Sequence, residues 1–323
     1  MRIAVTGASG FCGSHVVRAA VAAGHEVVCH GRRPGPAGRH VPWDATAGDP
    51  DFTGADAVVH CAAAVADLPR GAGAEAVQHA VNVTGTERLL RAAGDRPLVW
   101  VSSASVYDPR AAHGSVREDH PTGTGHLNAY GRTKAAGERL ALAAGAVVLR
   151  PRAVYGPGDP HLVPRLLERV RHGRLLLPGG DVPLSLTAVQ NLADACLSAV
   201  GAGRTGDRPW TPVAHNIADA RPYRRDEVVR AVLAAHGVRA RIHHVPAPLA
   251  RLAARTGRLP GLTPYAVDQL SRGMVLDLAR ARAQGWRPHR DLDDFLREGT
   301  GRPPGTPDAR APLGGDAGAG TAR

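Results

Sequence analysis

Tyr130 and Lys134 stand four residues apart in the stretch "AYGRTKAAG", and Lys134 is the only lysine among forty basic residues. Elsewhere the positive charge is carried by arginine, and the high Ala, Gly and Pro content points to a composition bias that this one position has escaped. On a helix starting near Asn128, residues four apart share a face, so a phenol and an ammonium become neighbours. A free phenol loses its proton at about pH 10, and a nearby cation favours the phenolate and lowers that value. Tyr130 is then a usable general acid and base toward the oxygen of an alcohol or ketone. A third group must hold that oxygen, and "VWVSSASVYD" offers hydroxyls at Ser102, Ser103 and Ser105 where a central strand ends.

A second constellation lies at the start of the chain. "VTGASGFCG" puts Gly7, Gly10 and Gly13 directly after an apolar run and at the mouth of a helical pattern. Glycines there allow a tight turn and let the backbone approach a pyrophosphate, whose charge the free N–H groups and the positive helix end favour. The next strand ends in "CHGRRP", about 20 residues past the glycines, where a site preferring NAD offers an acidic side chain to the ribose hydroxyls. Gly31, Arg32 and Arg33 occupy that region here. A guanidinium pairs well with a 2′-phosphate, so NADP is the expected cofactor and NAD the second choice; the other reading makes both arginines plain surface residues. Asp44, in "PWDA", is a candidate acceptor for the adenine amino group or simply a loop aspartate.

These residues need a scaffold, and the first 155 positions supply its rhythm. "RIAVTG", "EVVCH", "DAVVHCAA", "PLVWVSS" and "AVVLRP" predict strands alternating with helical segments such as "GSHVVRAAVAAG" and "NVTGTERLLRAAG", each closed by a glycine. The strands are near-continuous in Val, Ile and Ala, as a sheet covered on both faces requires. The expected fold class is α/β, a doubly wound parallel sheet of the Rossmann type with a smaller, mainly helical C-terminal substrate lobe. Residues 1–155 form the nucleotide-binding domain and 185–220 return to the sheet layer. Residues 156–184 and 221–298 form the substrate lobe, and the Pro- and Gly-rich 299–323 an unordered tail.

Composition narrows the class. The net charge of +11 raises the question of a nucleic-acid partner, but the arginines are scattered and only three Phe and five Tyr are present for base stacking. No nucleic acid is expected; the basic surface instead helps anionic ligands approach. Cys12, Cys29, Cys61 and Cys196 show no C-x-x-C spacing, so free thiols in a reducing compartment are expected, and no metal site. The first residues run straight into a strand and glycines, unlike a signal peptide, and no run of about 18 apolar residues is present, so neither export nor a membrane is expected. The expected location is the cytoplasm.

In order, "TGASGFCG", "DAVVHCAA", "NVTGT", "SSASVY", "YGRTK", "RPRAVYGPG" and "GWRP" resemble the motifs of the extended short-chain dehydrogenase/reductases, the NAD(P)-dependent epimerase/dehydratase family, over nearly all of residues 1–298. The resemblance implies Ser103 as the hydroxyl that positions the substrate, Tyr130 as proton donor and acceptor, and Lys134 as the group that lowers its pKa and holds the nicotinamide ribose. It implies cofactor contacts from Ser9, Phe11 and Cys12 beside the three glycines, from Ala45 beside Asp44, and from Cys61, Ala62, Ala63 and Asn82. Pro151 and Val154 complete that set. Ser103, Ser105, Arg152 and Ala153 are implied on the substrate side, and a homodimer through the helices after "NVTGT" and around "YGRTK".

Departures from the family's patterns sharpen the expected reaction. Dehydratases place an acidic pair where this chain has Ala104 and Ser105, so water elimination is not expected. Nucleotide-sugar members commonly carry an asparagine where Ala153 stands and an arginine near Leu184; Arg152 is a candidate substitute for one of them, and the usual diphosphate clamp is not visible. Asn191 takes the place of an acid found in many sugar epimerases, and His120, His126 and His161 are loop histidines within reach of a pocket or solvated surface groups. The expectation is an NADP(H)-preferring oxidoreductase that interconverts a secondary alcohol and a ketone on a small or medium-sized metabolite. The alternatives are a nucleotide-sugar 4-epimerase or 4-ketoreductase, and a non-catalytic nucleotide-binding regulator.

Overall fold

Seven short strands pair side by side, all parallel. They are β1 (Arg2–Thr6), β2 (Glu26–Gly31), β3 (Arg39–Pro42), β4 (Ala57–His60), β5 (Leu98–Val101), β6 (Val147–Pro151) and β7 (Ala214–Ile217), in the order β7-β6-β5-β4-β1-β2-β3. This computed structural model describes residues 1–65, 72–110, 114–126, 128–160, 162–203, 209–256 and 263–298. His161 and the tail from 299 lie outside the described residues. The strand order reverses at β1, whose neighbours are β2 on one side and β4 on the other. Such a switch point opens a crevice at the carboxyl ends of the strands.

Successive side chains along a strand point to opposite faces, and both faces of this sheet are apolar. Ile3, Val5, Val59, Val99 and Leu149 pack on one face against α1 (Phe11–Ala22) and, further along the chain, against Leu192 and Cys196. Ala4, Val58, Trp100 and Val148 pack on the other against Leu89 and Ala141. The helices on that second face are α2 (Ala72–His79), a five-residue π turn (Ala80–Thr84), α3 (Gly85–Ala93) and α4 (Ala129–Ala143). After them come α5 (Leu162–Glu168), α6 (Val189–Ala199), which carries Leu192 and Cys196, and α7 (Arg225–Ala235). The chain ends in α8 (Ala247–Arg255), α9 (Pro264–Ser271), α10 (Ala279–Ala283) and α11 (Leu292–Arg297).

A second core gathers Tyr155, Leu184, Leu186, Tyr223, Val232 and Phe295 beyond the carboxyl ends of the strands. Residues 221–298 are not purely helical there: Arg241–Val245 pairs in parallel with Arg174–Pro178, and Val275–Leu276 pairs with Ser115–Val116. The partners lie some 65 and 160 residues away, too distant for local periodicity to reveal. Among the described residues no helix is long and apolar enough to cross a membrane.

Candidate functional site

The loop after β1 is shaped by its glycines. Gly7 has φ 66°, a backbone that side chains disfavour, and its N–H donates to the His30 carbonyl at 2.9 Å. A Cβ on Gly7 would stand 2.7 Å from the Cα of Ala62, and one on Gly13 would collide with the Gly7 carbonyl oxygen. The loop therefore presses against the segment Cys61, Ala62 and Ala63 that follows β4. Ser9, Phe11 and Cys12 are half-buried and Gly10 exposed along its lip, at the N-terminus of α1. This cradle, with free helix-start amides and no side chain in the way, fits a pyrophosphate.

Arg32 and Arg33 are exposed at the end of β2, and neither pairs with a carboxylate among the described residues. Asp44 closes a turn: its Oδ1 accepts from the Thr46 N–H at 2.8 Å and from the Thr46 hydroxyl at 2.7 Å. These bonds hold its carboxyl below the usual range, with burial opposing and the Arg32 charge adding a smaller pull. The buried Ala45 offers its carbonyl to Arg88 at 3.0 Å. Asn82 is also buried, and its amide is engaged with Ala64 and with the Thr133 hydroxyl, at 2.9 to 3.1 Å. It ties the wall of the crevice to α4.

The three hydroxyls after β5 separate. Ser102 turns inward and donates to Glu138, which is itself paired with the buried Arg150. Ser103 and Ser105 face the crevice with their Oγ atoms 3.1 Å apart. Asn128 caps α4, its Oδ1 accepting from the Gly131 N–H at 2.9 Å. Gly131 lets this end of the helix come close, because a Cβ there would stand 2.8 Å from the Ser105 carbonyl oxygen. Tyr130 is thereby carried to hydrogen-bonding distance of Ser103.

Lys134, one turn on, is buried; its Nζ donates to the Val101 carbonyl at 2.8 Å and lies 3.5 Å from the centre of the Trp100 ring. Burial pushes its pKa down to about 7, against smaller opposing pulls from Glu138 and the nearby thiols. Burial likewise holds the Tyr130 phenol well above its ordinary value, Tyr265 adding to the effect and the Ser103 hydrogen bond opposing it. Desolvation dominates both groups, and the ammonium is directed at a carbonyl and an indole face.

Arg152 and Ala153 follow β6 on the other side of Ser103, between the buried Pro151 and the half-buried Val154. Ala153 is held at φ 45°, a strained backbone for a residue with a Cβ. From the C-terminal region Tyr265, on α9, reaches in to place its hydroxyl 3.0 Å from Ser105 Oγ. Its contact spans 160 residues, and nothing in "LTPYAVDQL" marks it. His126 bonds the Val106 carbonyl at 3.1 Å, and the His120 ring accepts from the Arg117 N–H at 3.1 Å, so both are occupied by backbone. Of the cysteines, Cys29 and Cys196 are buried, Cys12 and Cys61 half-buried, and all four are free.

The sequence profile described as the NAD dependent epimerase/dehydratase family matches residues 3–217, and the chain belongs to that family. It is 36% identical over 255 residues to the 2-alkyl-3-oxoalkanoate reductase of Stenotrophomonas maltophilia, covering 73% of this chain and 76% of the relative. It is 30% identical over 320 residues to the 3 beta-hydroxysteroid dehydrogenase/Delta 5-->4-isomerase of Mycobacterium tuberculosis, covering 89% and 86%. Among solved structures, MoeE5 in complex with UDP-glucose and NAD superposes with a TM-score of 0.70 at 26% identity, covering 93% of this chain and 97% of that one. The protein is an NAD(P)-dependent oxidoreductase of the epimerase/dehydratase family.

Proposed function

We propose that the protein interconverts a secondary alcohol and a ketone on a small or medium-sized metabolite, with NADP(H) as the preferred nucleotide. The observation that carries this reading is the meeting of Ser103, from the end of β5, with Tyr130, from the first turn of α4, and Lys134 one turn further along. The nicotinamide, when bound, accepts or gives up a hydride. The chain supplies the rest: Ser103 donates a hydrogen bond to the substrate oxygen, and Tyr130 gives or takes the proton at that oxygen. A phenol held above its usual pKa stays protonated at neutral pH, so it has the proton that a nascent alkoxide takes up. Lys134 holds the ribose and, through its charge, the phenol.

The preference for NADP rests on the exposed, carboxylate-free Arg32 and Arg33 at the end of β2. Relatives named as a reductase of 2-alkyl-3-oxoalkanoates and a 3 beta-hydroxysteroid dehydrogenase support carbonyl and alcohol chemistry. Tyr130→Phe is expected to lower kcat by about 10²- to 10⁴-fold with little change in NADPH affinity; unchanged turnover removes the mechanism. Arg32→Asp is expected to weaken NADPH by about tenfold or more and leave NADH nearly unaffected in fluorescence titrations. If the variant binds both as the parent does, the NADP preference falls. Turnover of a UDP-sugar without added nucleotide would instead favour an epimerase. A homodimer through α3 and α4 belongs to the same proposal, and a single-chain mass in sedimentation would remove it.

A further inference from the structure

Among the described residues three arginines are deeply buried: Arg150 at 3% exposure, Arg225 at 2% and Arg152 at 7%. Taking a guanidinium out of water is costly unless it is paired, and the first two obey the rule. Arg150 is held by Glu138 and Arg225 by Asp226. Arg152 has no carboxylate partner among the described residues. One terminal nitrogen donates to the Ser185 carbonyl at 3.1 Å, and its Nε is buried without any partner.

Its place in the fold says what could complete it. In the parallel pair of β5 and β6, Val101 lies opposite Leu149, so Arg152 stands one residue beyond the position opposite Ser103. Adjacent strands are about 5 Å apart, so the backbones at Ser103 and Arg152 are near neighbours at this edge. Around this end of the crevice the chain presents donors: the hydroxyls of Ser103, Ser105, Tyr130 and Tyr265, and the Lys134 ammonium beneath them. Tyr265 joins the C-terminal region to this edge, its hydroxyl 3.0 Å from Ser105 Oγ. The net charge of +11 further favours the approach of an anion.

We infer that Arg152 is the anchor for a substrate carboxylate, and that the substrate is a 3-oxo or 3-hydroxy acid whose carboxylate occupies the unpaired guanidinium while its oxygen at carbon 3 lies between Ser103 and Tyr130. The inference rests on the proposed alcohol and ketone chemistry of the same site. The carboxylate supplies the counter-ion that the fold withholds from Arg152, and a neutral ester or methyl ketone leaves that cation buried and unpaired.

The test uses the full chain loaded with NADP⁺, with 3-hydroxybutyrate and 3-hydroxydecanoate as probes beside their methyl esters, in calorimetric binding and in NADPH formation. The parent is expected to bind at least one acid about 100-fold more tightly than its ester. Arg152→Gln keeps a donor for the Ser185 carbonyl; it should lose that preference by weakening the acid alone, and Arg152→Lys should restore part of it. Equal binding of acid and ester by the parent, no binding of either acid, or an equal loss on acid and ester in Arg152→Gln overturns the inference. Acid-selective binding with no turnover would keep the carboxylate anchor and sink the proposed alcohol and ketone chemistry. Turnover of the esters with no preference for the acids would do the reverse.

Discussion

At Lys134 two requirements meet that arginine cannot satisfy together. The ammonium is compact enough to sit between the Val101 carbonyl and the Trp100 ring, and burial makes it able to lose its proton near neutrality. A guanidinium stays charged and is larger, which accounts for one lysine in a chain that otherwise uses arginine. The folded pKa of about 7 lies below the ordinary 10.5, so between those values the folded chain binds fewer protons than the unfolded one. Stability therefore rises with pH through that window, and the penalty of the buried charge is complete below it. In the nucleotide-free protein, the Tm of Lys134→Met relative to the parent should be most favourable at pH 6 and should decline steadily toward pH 10. A gap that does not change with pH would contradict the burial argument.

At the scale of elements, α4 is the device that turns a sequence motif into a site. The i, i+4 spacing of Tyr130 and Lys134 and the Asn128 cap were legible in the sequence, because helix geometry and capping are local properties. The distance of that helix from Ser103 was not, since it depends on what its buried face meets. Gly131 lies against the Ser105 carbonyl, and a Cβ on Gly137 would collide with the Asn82 carbonyl oxygen and stand 3.0 Å from Trp100. Gly137→Ala should therefore displace α4 rather than merely stiffen it, at a cost of about 1–3 kcal/mol. A fall in Tm together with a fall in kcat is expected. A stabilised variant, as would follow if α4 had room to spare, would refute the packing argument. The same local logic explains why Ser102, Ser103 and Ser105 looked alike in the sequence: only the position of Glu138 shows which hydroxyl turns inward.

At the scale of the molecule, Asn191 on α6 joins the sheet layer to the C-terminal segment. Its Oδ1 accepts from the His289 and Arg290 N–H groups at 3.0 Å each, and its Nδ2 donates to Asp219 at 2.9 Å and to the Arg290 carbonyl at 2.8 Å. An acid at this position would face Asp219, whose own carboxyl burial already pushes above its usual range. That is the physical reason an amide stands here. Asn191→Asp creates a like-charge pair in which one folded-state pKa must rise, so stability is lost as pH climbs through it. The variant should be destabilised by about 2 kcal/mol or more at pH 8 and by less at pH 5, read as Tm against pH, with nucleotide affinity nearly unchanged.

By itself the sequence determined the alternation of strands and helices, the glycine turn at Gly7, Gly10 and Gly13, and the i, i+4 pairing of Tyr130 with Lys134, because each follows from periodicity, backbone freedom or spacing within one element. The family's motifs ran in order through the same positions. Only the tertiary structure decided that Ser102 turns inward to Glu138, that Tyr265 reaches Ser105 across 160 residues, and that burial raises the Tyr130 phenol above its ordinary value. It also decided that Arg152, alone of the three arginines buried among the described residues, has no carboxylate partner among them. Those properties depend on desolvation and on contacts between elements far apart in the chain, and neither quantity exists until the chain has folded.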